Sequence, residues 1–259
     1  ALGRMGLEIA RAASSRKDLA VTAAVEREGH PGLGADLGEA SGAGPSGVAV
    51  TSDIAAAMVG ADVVVDISHR DATARVAGAA ARAGKPLVCG TTGLGDEALA
   101  AIDSASKAVP VLYTANLSLG VAVLAELVRK AAGALCDYDL EIIELHHRKK
   151  ADAPSGTALM LADAAKSGRG GGEAALCFGR SGHTGERPTG DIGIHAVRGG
   201  GIFGEHRVLF AGPNERIEIT HTAESRTLFA EGALSAASFL ARAIPGRYAM
   251  SDLVSAFRR

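Results

Sequence analysis

The first half of the chain alternates short apolar runs with alanine-rich segments, and this alternation restricts the fold more than any other feature. Leu19 to Val25 is one run and stops at Glu26; Val63-Val64-Val65 is a second and stops at Asp66. Leu87-Val88-Cys89 and Val111-Leu112-Tyr113 follow. Runs so short and so continuously apolar suit strands covered on both faces, as in a parallel sheet. Between them, Ala72 to Ala83 and Asp96 to Lys107 read as crossover helices. The pattern predicts a doubly wound, Rossmann-like α/β domain.

The pattern changes near Asn116. Val121, Leu124, Val128, Ala131 and Leu135 recur at helical spacing, so Ser118 to Leu135 reads as a helix. A strand is expected over Leu140 to Leu145, then a charged segment and a loop feeding a helix through Met160 and Ala164. Lys166 to Glu173 is glycine-rich and reads as a surface loop. Ile192 to Thr222 reads as all-β, with turns at Gly199-Gly200-Gly201 and Gly212-Pro213-Asn214, and Leu228 to Ala243 as a closing helix. The expected division is a dinucleotide-binding domain of residues 1–117 completed by 227–259, with an inserted α+β domain of residues 118–226.

Bulk chemistry excludes several classes. A formal net charge of −2 provides no basic field for nucleic acid or anionic lipid. Aromatic residues are 3% with no Trp, which disfavours base stacking. Cys89, Cys136 and Cys177 are odd in number and far apart, so neither a disulfide framework nor a thiolate zinc site is expected, and a reducing compartment is. No run approaches a membrane span, and no signal peptide opens the sequence.

The sequence begins Ala1-Leu2-Gly3-Arg4-Met5-Gly6, the back half of a glycine-rich phosphate loop. Gly3 would let the backbone approach a pyrophosphate, and Gly6 would let the following helix pack closely. A buried strand ending in glycine is expected ahead of Ala1. Glu26 lies twenty residues after Gly6, the spacing of an acid that holds the adenosine ribose. Arg27 beside it could stack on adenine or pair with a 2′-phosphate, so the pair suggests use of NADH or NADPH. Gly90-Thr91-Thr92 and Thr114-Ala115-Asn116-Leu117 follow strands and belong at the carboxyl edge of the sheet, where they would line the nicotinamide half.

The segment from Glu144 to Ala158 is the most informative. It concentrates His146, His147, Arg148, Lys149 and Lys150 ahead of Pro154-Ser155-Gly156-Thr157. A reductase adding hydride to a conjugated imine must also deliver a proton, which suits His, and must stabilise developing charge, which suits Lys. Pro154 and Ser155 favour a helix start, whose N–H groups attract a carboxylate. Adjacent His146 and His147 point to opposite sides of a strand, so they do not share a metal ion, and no metal is expected.

The pattern E-x-H-H-R-x-K-x-D-A-P-S-G-T-A over Glu144 to Ala158 resembles the signature of the dihydrodipicolinate reductase family, also called 4-hydroxy-tetrahydrodipicolinate reductases. Gly3 to Gly6, Glu26 to Gly29, Gly90 to Gly93, Ala115-Asn116, Gly182 to Arg187, Gly204 to His206 and Glu218 to His221 are similar in the same order. The resemblance implies NAD(P)H-dependent reduction of a small cyclic dicarboxylate on the diaminopimelate and lysine route, in the cytoplasm, by a homotetramer assembled through the inserted domain. It implies that Gly3, Arg4, Met5 and Gly6 bind pyrophosphate and that Glu26 and Arg27 hold the ribose. Gly90 to Thr92 and Thr114 to Leu117 would line the nicotinamide. It makes His146 the proton donor and acceptor, Lys150 a proton donor, and His147, Gly156 and Thr157 substrate-binding; Ser155 and Arg226 are added as candidates for the same anion. Leu117 stands where many relatives carry Phe. The competing readings are another two-domain amino-acid reductase, such as an aspartate dehydrogenase, and a non-catalytic dinucleotide sensor, for which the crowded His and Lys segment has no use.

Overall fold

The computed structural model describes residues 1–256, which divide into two compact units: Ala1–Leu119 with the segment from Arg226 onward, and Gly120–Ser225. In chain order the elements are α1 (Arg4–Ser14), β1 (Ala24–Val25), α2 (Leu37–Ser41), β2 (Val50–Thr51), α3 (Ile54–Val59), β3 (Val64–Asp66), α4 (Arg70–Ala83), β4 (Leu87–Cys89), α5 (Asp96–Ser106) and β5 (Pro110–Tyr113). Then come α6 (Leu119–Ala134), β6 (Asp139–His146), α7 (Gly156–Gly168), β7 (Leu176–Cys177), β8 (Ile192–Arg198), β9 (Glu205–Ala211) and β10 (Arg216–Thr222). The elements α8 (Thr227–Leu240), β11 (Gly246–Tyr248) and α9 (Met250–Ala256) follow.

The first unit holds parallel strands in the order β11-β5-β4-β3, and a separate parallel pair, β1-β2. Leu87, Val88, Cys89, Val111 and Leu112 are fully buried, as continuous apolar runs require of strands covered on both faces. Helices α4 and α5 pack on these strands through Ala77, Ala80, Ile102 and Ala105. Of the Leu19 to Val25 run only Ala24–Val25 is strand, because its ladder extends no further than Val50–Thr51. The short β11 pairs with β5 and α9 follows it; neither is expected from sequence.

The second unit is a mixed sheet in the order β10-β9-β6-β8-β7. Along β6, Leu140 and Ile142 face a core shared with Leu124 and Val128 of α6, Leu161 of α7 and Phe210 of β9. The expected loop from Lys166 begins later, since α7 continues to Gly168. The reason is a close helix crossing: a Cβ on Gly168 would lie 2.1 Å from the Arg129 carbonyl oxygen of α6. Val197, on the sheet face away from this core, is 43% exposed. No helix among the described residues is long and apolar enough to cross a membrane.

A second close approach pins α8. A Cβ on Gly232 would stand 1.8 Å from the Leu117 carbonyl oxygen, whereas one on Gly78 of α4 would meet only the flexible end of Arg82 at 3.3 Å. Gly232→Ala is therefore expected to cost about 1–3 kcal/mol through overpacking, and Gly78→Ala to gain up to roughly 1 kcal/mol through helix propensity. Denaturation midpoints of the two variants against the parent check the opposite signs.

Candidate active site

In the first unit a cleft of about 800 Å³ is lined by Gly3, Arg4, Met5 and Gly6, by Glu26 and Arg27, and by Ser68, His69, Arg75 and Arg226. Its floor is the start of α1. Gly3 is the N-cap, no side chain caps the helix, and its first turn contains no acid. The first-turn N–H groups of such a helix have no intrahelical acceptors and carry partial positive charge. The space above Gly3 is open, with nothing within 4 Å of a Cβ placed there; at Gly6 a Cβ would collide with the Ala1 carbonyl oxygen at 1.9 Å. Volume, uncapped helix start and surrounding guanidinium groups fit a dinucleotide.

Glu26 faces the loop's own backbone. Its carboxylate accepts from the N–H groups of Leu2 at 2.9 Å and Arg27 at 3.0 Å. Burial works to raise its pKa, but these donors outweigh it and lower it. Arg27 is exposed at the rim. Arg226, expected with the substrate, is the N-cap of α8 and stands in the wall of this cleft. Asp66, which the sequence marks only as a strand end, is buried and accepts from Ser68 N–H at 3.0 Å and Thr73 Oγ1 at 2.9 Å, which shapes the Ser68-His69 wall.

The residues after β4 and β5 do not line the cleft. They form two turns of their own at the carboxyl edge. Thr114 N–H donates to the Cys89 carbonyl at 3.0 Å, and Thr114 Oγ1 donates to the Asn116 carbonyl at 2.8 Å. Asn116 Oδ1 accepts from Ser118 N–H at 2.9 Å, ahead of α6. Gly90 and Leu117 are in contact, since a Cβ on Gly90 would lie 2.6 Å from Leu117 Cδ1. Thr91 is buried, and Thr92 and Ala115 complete the two turns.

In the second unit the signature segment gathers around one carboxylate. Glu144 is fully buried, at 0% exposure, in β6. It accepts from His146 Nδ1, from Arg198 Nη1 at 2.8 Å and Nη2 at 2.7 Å, and from Ser155 N–H at 3.0 Å. Burial pushes its pKa up, but Arg198, His146 and Ser155 prevail and lower it. His146 is lowered, first by its own burial and against the pull of Glu144. Lys150 pairs with Asp152 at 2.9 Å. His147 is half-buried with Nδ1 unpaired.

Ser155 caps α7: its Oγ accepts from Ala158 N–H at 3.1 Å and also contacts His206 Nε2 at 3.2 Å. Its N–H and hydroxyl are thus committed within the protein. Gly156 is exposed, with open space where a side chain would be. Glu144, Arg198 and His206 had no role from sequence. The signal was present at Glu144, an acid on the core-facing alternation of Leu140 and Ile142.

A dinucleotide-type α/β unit and a second unit with a carboxylate-oriented histidine beside a lysine define a pyridine-nucleotide oxidoreductase. Family models described as the N-terminus and the C-terminus of dihydrodipicolinate reductase match residues 1–117 and 120–254. The chain belongs to the dihydrodipicolinate reductase family. It is 49% identical over 256 residues to the 4-hydroxy-tetrahydrodipicolinate reductase of Anaeromyxobacter dehalogenans strain 2CP-1, covering 98% of this chain and 95% of the relative. It is 46% identical to that of Halorhodospira halophila, covering 97% and 95%. Among solved structures, the dipicolinate-bound dihydrodipicolinate reductase from Paenisporosarcina sp. TG-14 has the same fold, with a TM-score of 0.75 at 23% identity over 95% of this chain and 94% of that one. A probable dehydrogenase from Thermotoga maritima shares the fold at a TM-score of 0.65 and 15% identity, over 98% and 91%. Family membership sets aside the aspartate dehydrogenase and sensor readings.

His206 carries a measurable pH dependence. Burial, then the charge of nearby His146, depresses its pKa from 6.5 to about 4. The unfolded chain binds that proton first, so the group removes stability as pH falls from about 6.5 towards 4. Urea unfolding at pH 7 and pH 4.5 is expected to show a smaller loss in His206→Gln than in the parent. An equal loss in both would show that His206 does not set this slope.

Proposed function

We propose that the chain reduces 4-hydroxy-tetrahydrodipicolinate to tetrahydrodipicolinate, with the first unit binding NADH or NADPH and the second unit binding the cyclic dicarboxylate. The observation that carries this reading is the hydrogen bond from His146 Nδ1 to the buried Glu144 carboxylate. It fixes the Nδ1–H tautomer and leaves Nε2 to exchange a proton. When bound, the nicotinamide supplies the hydride that adds at C4 after the 4-hydroxyl leaves as water. His146 and Lys150 manage the protons: His146 gives or takes one at Nε2, and the Lys150 ammonium donates one. Because burial lowers the His146 pKa, its neutral form remains accessible near pH 7.

The start of α7 receives a substrate carboxylate. Gly156 and Thr157 present first-turn N–H groups, and His147 stands on the segment immediately upstream. Gly3 to Gly6 take the pyrophosphate on α1, with Glu26 and Arg27 at the ribose and Gly90 to Thr92 and Thr114 to Leu117 at the nicotinamide. Residues 118–226 also serve assembly into a homotetramer. Support for this comes from Ile143, Val197 and Leu209 on the sheet face away from the α6 and α7 core. A cytoplasmic location accords with the free thiols of Cys89, Cys136 and Cys177.

Turnover is followed by NAD(P)H absorbance with freshly generated substrate. His146→Gln and Lys150→Ala are each expected to lower it by roughly 10²–10⁴-fold, while cofactor binding survives. Near-normal turnover in either variant at saturating substrate removes that residue from the proton path. Arg27→Ala is expected to weaken NADPH more than NADH, read as separate KM values; equal losses would show that Arg27 does not read the 2′-phosphate.

A further inference from the structure

We propose that Glu144 is a positioning residue that sets the proton-transfer histidine and the substrate-binding helix in register through one buried carboxylate. Its Oε2 accepts from His146 Nδ1, and its Oε1 accepts from the backbone N–H of Ser155, the N-cap of α7, at 3.0 Å. The Arg198 guanidinium spans both oxygens, at 2.8 and 2.7 Å, and also donates to the Asp152 carbonyl at 2.7 Å. The carboxylate and its guanidinium therefore tie three pieces together: the end of β6, the Lys150–Asp152 segment and the start of α7.

A carboxylate at 0% exposure is costly to bury and is not needed to fill a core position. Here two of the three residues that compensate the burial, His146 and Ser155, belong to elements the reaction uses, and the third, Arg198, comes from the neighbouring strand β8. The arrangement also dictates which nitrogen of His146 works. With Nδ1–H committed to Glu144, only Nε2 exchanges. Space beside that atom is kept by Gly204, where a Cβ would intrude to 3.2 Å from Nε2. The other titratable groups around His146 are Lys150, Arg198 and His206, whose ring packs edge-on at 5.2 Å between centroids. Lys150 and Arg198 oppose a charged His146, while Glu144 favours it.

This inference rests on the proton role given to His146 above, and the test separates the two. Two-bond proton–nitrogen NMR of the full-length protein reads the tautomer and pKa of each histidine, with His146 assigned by the signals lost in His146→Gln. In the parent, neutral His146 is expected as the Nδ1–H tautomer. In Glu144→Gln the amide cannot satisfy both His146 and Arg198, so the tautomer preference weakens and the His146 pKa falls. kcat drops by roughly 10²–10⁴-fold, as when an orienting acid is lost, and KM for NAD(P)H holds. In Arg198→Met the His146 pKa moves the other way, upward. A merely structural carboxylate would leave the tautomer preference and kcat of folded Glu144→Gln unchanged. If Glu144→Gln fails to fold, Arg198→Met decides alone, and an unmoved His146 pKa overturns the proposal. It is also overturned if folded Glu144→Gln keeps the parent's tautomer and pKa. If tautomer and pKa move but kcat does not, the positioning of the ring stands and the proton role of His146 fails.

Discussion

A carboxylate removed from water must be given back its hydrogen bonds by the protein, or it will not stay ionised. Glu144 meets that demand with donors from three separate stretches of chain, and much of the second unit's geometry follows. The parallel register of β6 and β8 places Arg198 opposite His146, near enough for its guanidinium to reach Glu144. The antiparallel register of β6 and β9 places His206 opposite Glu144. His206 in turn touches the Ser155 hydroxyl that caps α7. The sheet thus converts strand pairing into side-chain chemistry, while the Leu140, Ile142, Val208 and Phe210 core holds the strands in place.

A second polar cluster, around Glu141, follows the same logic but serves a loop. Glu141 alternates with Leu140 and Ile142, so it lies on the other face of the sheet. It accepts from Arg180 at 3.0 Å, Arg187 at 2.9 Å and His195 at 2.7 Å. Arg187 also donates to the carbonyls of Leu140 at 3.1 Å and Asp191 at 2.6 Å. Without these bonds the segment from Gly182 to Arg187 would have little to hold it, since it contributes no strand or helix. Gly193 is what allows the cluster to form, because a Cβ there would lie 1.7 Å from a Glu141 oxygen.

The fold was legible wherever burial imposed a period. Helices α4 to α8 and strands β3 to β6 announce themselves because one face, or both, must be apolar. What escaped was decided by neighbours rather than by local pattern. β11 is three residues, Gly246-Arg247-Tyr248, with no apolar alternation, and exists as a strand because β5 offers it a parallel edge. The glycine-rich composition from Lys166 onward predicts a loop, yet α7 continues to Gly168, whose missing side chain lets α6 approach. In the candidate site, the histidines, the lysine and the helix start were visible as a contiguous motif. The partnership of Glu144 with Arg198 was not, since the two are 54 residues apart and meet only through the β6–β8 register.

The two helix starts in the proposed sites differ in a way that suits different anions. α1 begins at Gly3 with no side-chain cap, no acid in its first turn and open space above it. Several N–H groups are left for one ligand, and a pyrophosphate has enough oxygens to take them. α7 begins at Ser155, whose hydroxyl already satisfies Ala158 N–H and whose own N–H is held by Glu144. Less of this helix start is open than of α1, because its cap and the cap's own N–H are both engaged within the protein. Capping therefore does more than stabilise α7. It joins the helix start, through the Ser155 N–H, to the same Glu144 carboxylate that holds His146.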